Sequence, residues 1–178
     1  MTMYESTGEN SSLNTIIDKH KGMEEDSYIH GYVTVIKNAG KDNEEVVCKN
    51  KHNLLTNTGR DAFHAQVYTN TSAGTRGYGF IALTTDVAAS DATDTVLASE
   101  ITTNGLERAD ASTKSHTVDT NETTISHTFT ASATHTAVVK AALFNAASVG
   151  IMGHENTFTS VTLEASDTLL VTWTLTLG

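Results

Sequence analysis

The chain has 178 residues, a length that suits one domain of ordinary size together with a short appended segment. Its 11 lysines and arginines face 21 aspartates and glutamates, and the formal net charge of -10 repels nucleic-acid phosphates and anionic lipid surfaces. No window approaches the run of about eighteen apolar residues that crosses a bilayer. We therefore expect no nucleic-acid partner and no membrane partner.

Residues 1–30 differ from the rest of the chain. They are polar and acidic, and their apolar positions, such as Leu13, Ile16 and Ile17, are isolated. A segment of this composition cannot bury enough apolar surface to fold alone. It is predicted to be an extended N-terminal arm that is either disordered or ordered against a neighbouring subunit, while residues 31–178 form a single folded domain.

The first predicted elements are a hairpin and a helix. Residues 32–36 and 45–48 have the residue pattern of β-strands, and they flank a turn rich in Asn, Gly and Asp. The period then changes to that of a short amphipathic helix over residues 58–68, with Thr58 as its cap and Asp61 as the capping-box partner. Residues 80–83 are apolar without alternation, which indicates a central strand buried on both faces.

The remaining elements are strands. They are expected near residues 106–109, 115–118, 125–131, 138–144, 159–163 and 169–177. In the last of these Val171, Trp173 and Leu175 alternate with threonine, which is typical of a half-buried strand that is tied into a sheet. His154, Glu155 and Asn156 are interpreted as a turn. The pattern predicts a mainly β fold, an antiparallel, jelly-roll-like β-sandwich with one short α-helix.

Motifs for phosphate-loop, dinucleotide, serine-hydrolase, zinc-peptidase and dithiol chemistry are missing from the sequence. We expect neither catalytic residues nor a cofactor. The metal candidate is weak: Asp86, Asp91 and Asp94 cluster in one segment, and clustered oxygen donors are what calcium requires. Their spacing matches no EF-hand, so a solvated acidic loop is the simpler interpretation.

Histidines and the single cysteine raise two further possibilities. His116, His127 and His135 would approach one another if their strands were neighbours, although a buried, backbone-bonded role is favoured for His127. Cys48 and His64 form a conceivable nucleophile pair, but a cysteine within a strand is usually an inert core residue. With one cysteine and no signal-peptide pattern at the start of the sequence, we expect a protein that stays in a reducing cytoplasm.

Six segments follow one another in an informative order: NLLTNTGRD (residues 53–61), YGFIAL (78–83), DTVLASEI (94–101), KAALFNA (140–146), HENTF (154–158) and SDTLLVTW (166–173). This order resembles that of virion structural proteins of tailed viruses. The resemblance implies an assembly part of a head or tail and carries over no catalytic residue. Together with the expected reducing cytoplasm, it leads us to expect a homo-oligomer, made in the host cytoplasm and found in the virion, that contacts the major capsid protein or other virion proteins.

A non-enzymatic capsid decoration or cement protein on the outer surface of the head is the leading hypothesis. A tail, baseplate or vertex-fibre component is the alternative within the same class. The alternative from another class is a soluble carbohydrate-binding module, for which the candidate exposed aromatic residues are Tyr68, Tyr78 and Phe158.

Overall fold

The computed structural model describes residues 29–64, 77–116 and 122–177. Ten strands and one helix lie in these ranges: β1 Ile29–Lys37, β2 Glu45–His52, β3 Leu54–Leu55, α1 Asn57–His64, β4 Phe80–Thr84, β5 Ala109–Asp110, β6 Thr113–His116, β7 Glu122–Thr130, β8 His135–Phe144, β9 Met152–Leu163 and β10 Thr168–Leu177. Most of the predicted arm lies outside the described residues. β1 begins at Ile29, which is two residues before the predicted start of the domain.

The strands form two antiparallel sheets of five strands each. Sheet A has the order β2-β1-β10-β7-β6, and sheet B has the order β3-β9-β8-β4-β5. The two sheets enclose one main apolar core, to which both contribute. The predicted antiparallel β-sandwich with one short helix is therefore confirmed.

The C-terminal strand β10 lies at the centre of sheet A. It pairs with β1 along one side and with β7 along the other, each over nine residue pairs. Val171 and Trp173 are fully buried between the sheets, whereas the threonines that alternate with them lie on the outer side. The prediction that this strand is tied into a sheet is correct, because burying one apolar face fixes the register of a strand.

Around β4, the second half of β8 and the first half of β9, sheet B is buried on both sides. Its inner residues, such as Ile81 and Leu143, pack in the main core, while Ala82, Ala142 and Phe144 form a second cluster on the outer side with Leu97 and Met152. We call residues 85–108, between β4 and β5, the covering segment. Its return along β4 is fixed by a hydrogen bond of 2.8 Å from the amide of Ile101 to the carbonyl of Leu83. An apolar strand without alternation is expected under such cover.

The position of β4 differs from the prediction. It is buried on both faces as expected, but the central strand of sheet B is β8. β4 lies between β8 and the two-residue strand β5. Burial on both faces predicted that β4 is the central strand. Its outer face is instead buried because the covering segment lies over it.

Helix α1 begins earlier than the sequence indicates. The hydroxyl of Thr56, which is fully buried, accepts a hydrogen bond of 3.0 Å from the amide of Gly59 and so caps the helix in place of the predicted Thr58. A Cβ on Gly59 would lie 2.6 Å from the Cα of Gly153, so this glycine lets α1 pack closely on β9. Residues 65–68 of the predicted helix lie outside the described residues.

The predicted turn at His154–Asn156 is wrong. These residues lie within β9, where they pair with β3 and β8. All three are buried, with 1–5% of their surface exposed. Three consecutive polar residues are typical of a turn. Here each side chain is buried, and its contacts come from residues distant in the sequence.

Candidate functional site

A buried charged cluster lies between sheet B and the covering segment. Lys140 on β8 and Glu155 on β9 are 3% and 1% exposed, and their charged groups are 3.5 Å apart. Asp86 approaches the same ammonium to 3.8 Å. The second carboxylate oxygen of Glu155 accepts a hydrogen bond of 2.9 Å from the amide of Asp91. The Lys140–Glu155 pair lies within sheet B, and Asp86 and the amide of Asp91 join it to the covering segment.

The three aspartates of the calcium candidate lie around this cluster. Asp86 faces Lys140, Asp91 accepts two hydrogen bonds from Thr93, and Asp94 accepts one from the amide of Asp91. Across the described ranges, no group of three or more His, Cys, Asp and Glu side chains is arranged to hold a metal ion. An ammonium already balances the buried carboxylate, and its charge opposes a cation nearby.

The electrostatics of the cluster favour a structural role. Burial raises the pKa of Glu155, a hydrogen bond with Asp94 raises it further, and the ammonium of Lys140 opposes both effects. Hydrogen bonding to Thr93 lowers the pKa of Asp91. Chemically, the cluster can hold the covering segment in place.

A second polar cluster lies inside the sandwich. Burial lowers the pKa of His154 to about 4, so the imidazole is neutral near pH 7. Its Nδ1 accepts a hydrogen bond of 2.5 Å from the side-chain amide of Asn53. The rings of Tyr78 and Trp173 lie 6.0 and 6.2 Å from the imidazole. Burial raises the pKa of Tyr78 to about 12, which makes its hydroxyl a poor proton donor.

The other sequence candidates are not brought together. His116 on β6 pairs opposite Thr123, four residues along β7 from His127, while His135 lies in sheet B. His127 is half-buried, and burial lowers its pKa against an opposing hydrogen bond to the backbone of Asp110.

The proposed nucleophile pair also lacks support in the described geometry. Burial raises the pKa of the Cys48 thiol, which lowers its reactivity. The side chain of His64 lies outside the described residues.

The outer side of sheet A is a regular polar surface. Residues in register across the strands form rows, of which two are Tyr32–Thr174–Thr124–Ser115 and Thr34–Thr172–Ser126–Thr113. We call the solvent-facing threonines and serines of this sheet the hydroxyl face. Its members are Thr34, Thr113, Ser115, Thr124, Ser126, Thr128, Thr130, Thr168, Thr172, Thr174 and Thr176. The threonine alternation in the sequence is the signal for this face.

One end of the hydroxyl face holds a cleft of about 290 Å³. Its lining residues come from four neighbouring strands: Tyr32, Asn50, Glu122, Thr174 and Thr176. Tyr32 gives no separate signal in the sequence, where it is one residue of a predicted strand, but its side chain is partly exposed at the cleft.

The aromatic residues selected from the sequence have other roles. Phe158 is 7% exposed and belongs to the core, and the hydroxyl of Tyr78 is buried inside the sandwich. Tyr68 lies outside the described residues. The predicted exposure of Phe158 is therefore wrong, whereas Tyr78 is partly exposed with its hydroxyl buried.

No helix in the described part of the chain is long and apolar enough to cross a membrane. Comparison with protein-family models, with curated proteins and with solved structures gave no match to this chain.

Proposed function

We propose that this protein is a non-enzymatic structural component of a tailed-virus particle, and specifically a decoration protein on the outside of the capsid. In this role it forms a homo-oligomer and contacts the major capsid protein. The tail, baseplate or vertex-fibre location is the alternative within the same class.

The observation that carries the proposal is the place of the six resembling segments in the fold. Residues 78–83, 140–146 and 154–158 supply most of β4 and part of the buried stretches of β8 and β9, and residues 166–173 supply the start of β10. Residues 53–61 form β3 and the start of α1, and residues 94–101 lie in the covering segment. A resemblance spread over strands, helix and covering segment supports a shared architecture with an assembly role, because it points to no catalytic residue.

The hydroxyl face supports contact with another protein. Threonine and serine side chains are short, and threonine is restricted about χ1, so such residues lose little conformational entropy when they are covered. Their hydroxyl groups both donate and accept hydrogen bonds, which lowers the cost of removing them from water. A broad face of this kind suits repeated, specific contacts in a lattice.

Quantitative mass spectrometry of purified particles tests the proposal. We expect this protein to be present in hundreds of copies, in a fixed ratio to the major capsid protein. A dozen to a few dozen copies would instead support the tail or vertex location. Absence of the protein from the particle would overturn both.

A further inference from the structure

We propose that the cleft on sheet A binds a neutral carbohydrate. This inference goes beyond the structural role and does not depend on it, since a saccharide site would serve a particle component and a separate binding module alike. It rests on the shape and chemistry of the cleft and on the fixed positions of its lining residues.

The size of the cleft suits a short saccharide. Small-molecule sites have volumes of about 300–1,000 Å³, and at about 290 Å³ this cleft lies at the lower end. Thr174 and Thr176 on β10 form its floor, with Tyr32 on β1 to one side and Glu122 on β7 to the other. A peptide segment or a folded partner would need a longer groove.

Tyr32 supplies the aromatic surface. Its side chain is partly exposed on the outer side of β1, opposite Thr174, and its ring meets the ring of His52 edge-on at 5.4 Å. An aromatic ring beside hydroxyl groups can pack against the C–H face of a sugar while its own hydroxyl stays in contact with water.

The polar lining matches the hydroxyl groups of a sugar. Thr174 and Thr176 both donate and accept hydrogen bonds, the amide of Asn50 does the same through separate atoms, and the carboxylate of Glu122 accepts them. Among the described lining residues there is one carboxylate and no lysine or arginine. This charge disfavours sulfated, phosphorylated and sialylated ligands, so a neutral saccharide is the matching class.

The lining is held in position before any ligand arrives. Asn50 has a left-handed backbone with φ of 48°, at an irregularity in the pairing of β2 with β1. The backbone amide of Asn50 donates a hydrogen bond of 3.0 Å to the hydroxyl of Thr34. That hydroxyl in turn donates one of 3.2 Å to the side-chain oxygen of Asn50. Strands on both sides fix Thr174 and Thr176. A preorganised site loses less entropy on binding.

The test uses soluble oligosaccharides of glucose, mannose, galactose or N-acetylglucosamine with the full chain, by saturation-transfer NMR and calorimetry. We expect at least one of these neutral series to bind. Tyr32→Ala should weaken this binding at least tenfold, whereas Tyr32→Phe should keep most of it. Glu122→Gln keeps the shape of a solvent-exposed side chain and should weaken binding several-fold. This variant keeps the proposal testable if Tyr32→Ala fails to fold.

Thr128→Ala is the matched control, because Thr128 lies on the same face but does not line the cleft. It should leave binding unchanged. The proposal is overturned if no neutral series binds, if sialylated or sulfated oligosaccharides bind in preference, or if the Tyr32 and Glu122 variants bind as the unchanged protein does.

Discussion

His154 couples the stability of the sandwich to pH. Its pKa is about 4 in the folded protein and about 6.5 in an unfolded chain, so the unfolded chain binds more protons between these values. The free energy of unfolding should therefore fall as the pH is lowered from about 6.5 to about 4, by about 3 kcal/mol from this residue. Protonation at Nδ1 would also place two N–H donors against each other, one on the ring and one on the side-chain amide of Asn53.

Urea unfolding at a series of pH values checks this prediction, with His154→Gln as the comparison. The difference in stability between the two proteins should narrow as the pH falls through this window. Asp167 does not obscure the result: hydrogen bonds from the backbone of Glu164 and from Asn38 lower its pKa to about 2, so its contribution is lost only below about pH 3.8. Parallel pH profiles for both proteins would contradict the role of His154.

Single buried polar residues are where the sequence was least informative. Lys140 stands within the apolar residues 138–144, and this break in the pattern was a visible signal of a buried charge. Its partner Glu155 gave no such signal, because it follows His154 in a segment that reads as polar throughout. Partners of this kind lie on different strands, and only the register of β8 with β9 brings them together.

The covering segment depends on the buried pair of Lys140 and Glu155. Lys140→Met should lower the free energy of unfolding by about 3–5 kcal/mol, because it leaves the carboxylate of Glu155 buried without a counter-charge. The double variant Lys140→Met/Glu155→Met removes both charges and should recover most of that loss. Urea unfolding of the two variants measures both effects. A double variant no more stable than the single one would show that the pair does not act as a unit.

At the scale of elements, alternation predicted the strands well wherever one face is apolar. β1, β7 and β10 have this pattern, and their predicted cores lie within the observed strands. The pattern fails at the polar first half of β9, and it fails for the cap of α1, since Thr56 is selected by its contacts with β9 rather than by local spacing. Local periodicity reports exposure along one element, whereas these features depend on neighbouring ones.

At the scale of the whole molecule, the two sides of the sandwich are available to different degrees. The outer side of sheet B is covered by the covering segment and by α1, which packs on β9. The outer side of sheet A keeps its hydroxyl face toward solvent. In the proposed role, contacts with a particle surface use the part of the hydroxyl face away from the Tyr32 cleft, around Thr34, Thr172 and Ser126, and residues 1–28 precede β1, the second strand from the edge of sheet A.

Removal of residues 1–28 separates the stability of the domain from the proposed attachment to a particle. The strand pairs of the described domain begin at Ile29 with Leu177, so this deletion keeps every pairing of both sheets, and the melting temperature should stay within a few degrees. Binding to particles that lack the protein should be lost, because the predicted arm would reach a neighbouring subunit and add a second point of attachment. Co-sedimentation with such particles measures binding. A chain whose first 28 residues are shuffled, with their composition kept, shows whether order or charge matters. Retained binding by the deletion variant would refute the role of the arm and leave the hydroxyl face as the contact surface.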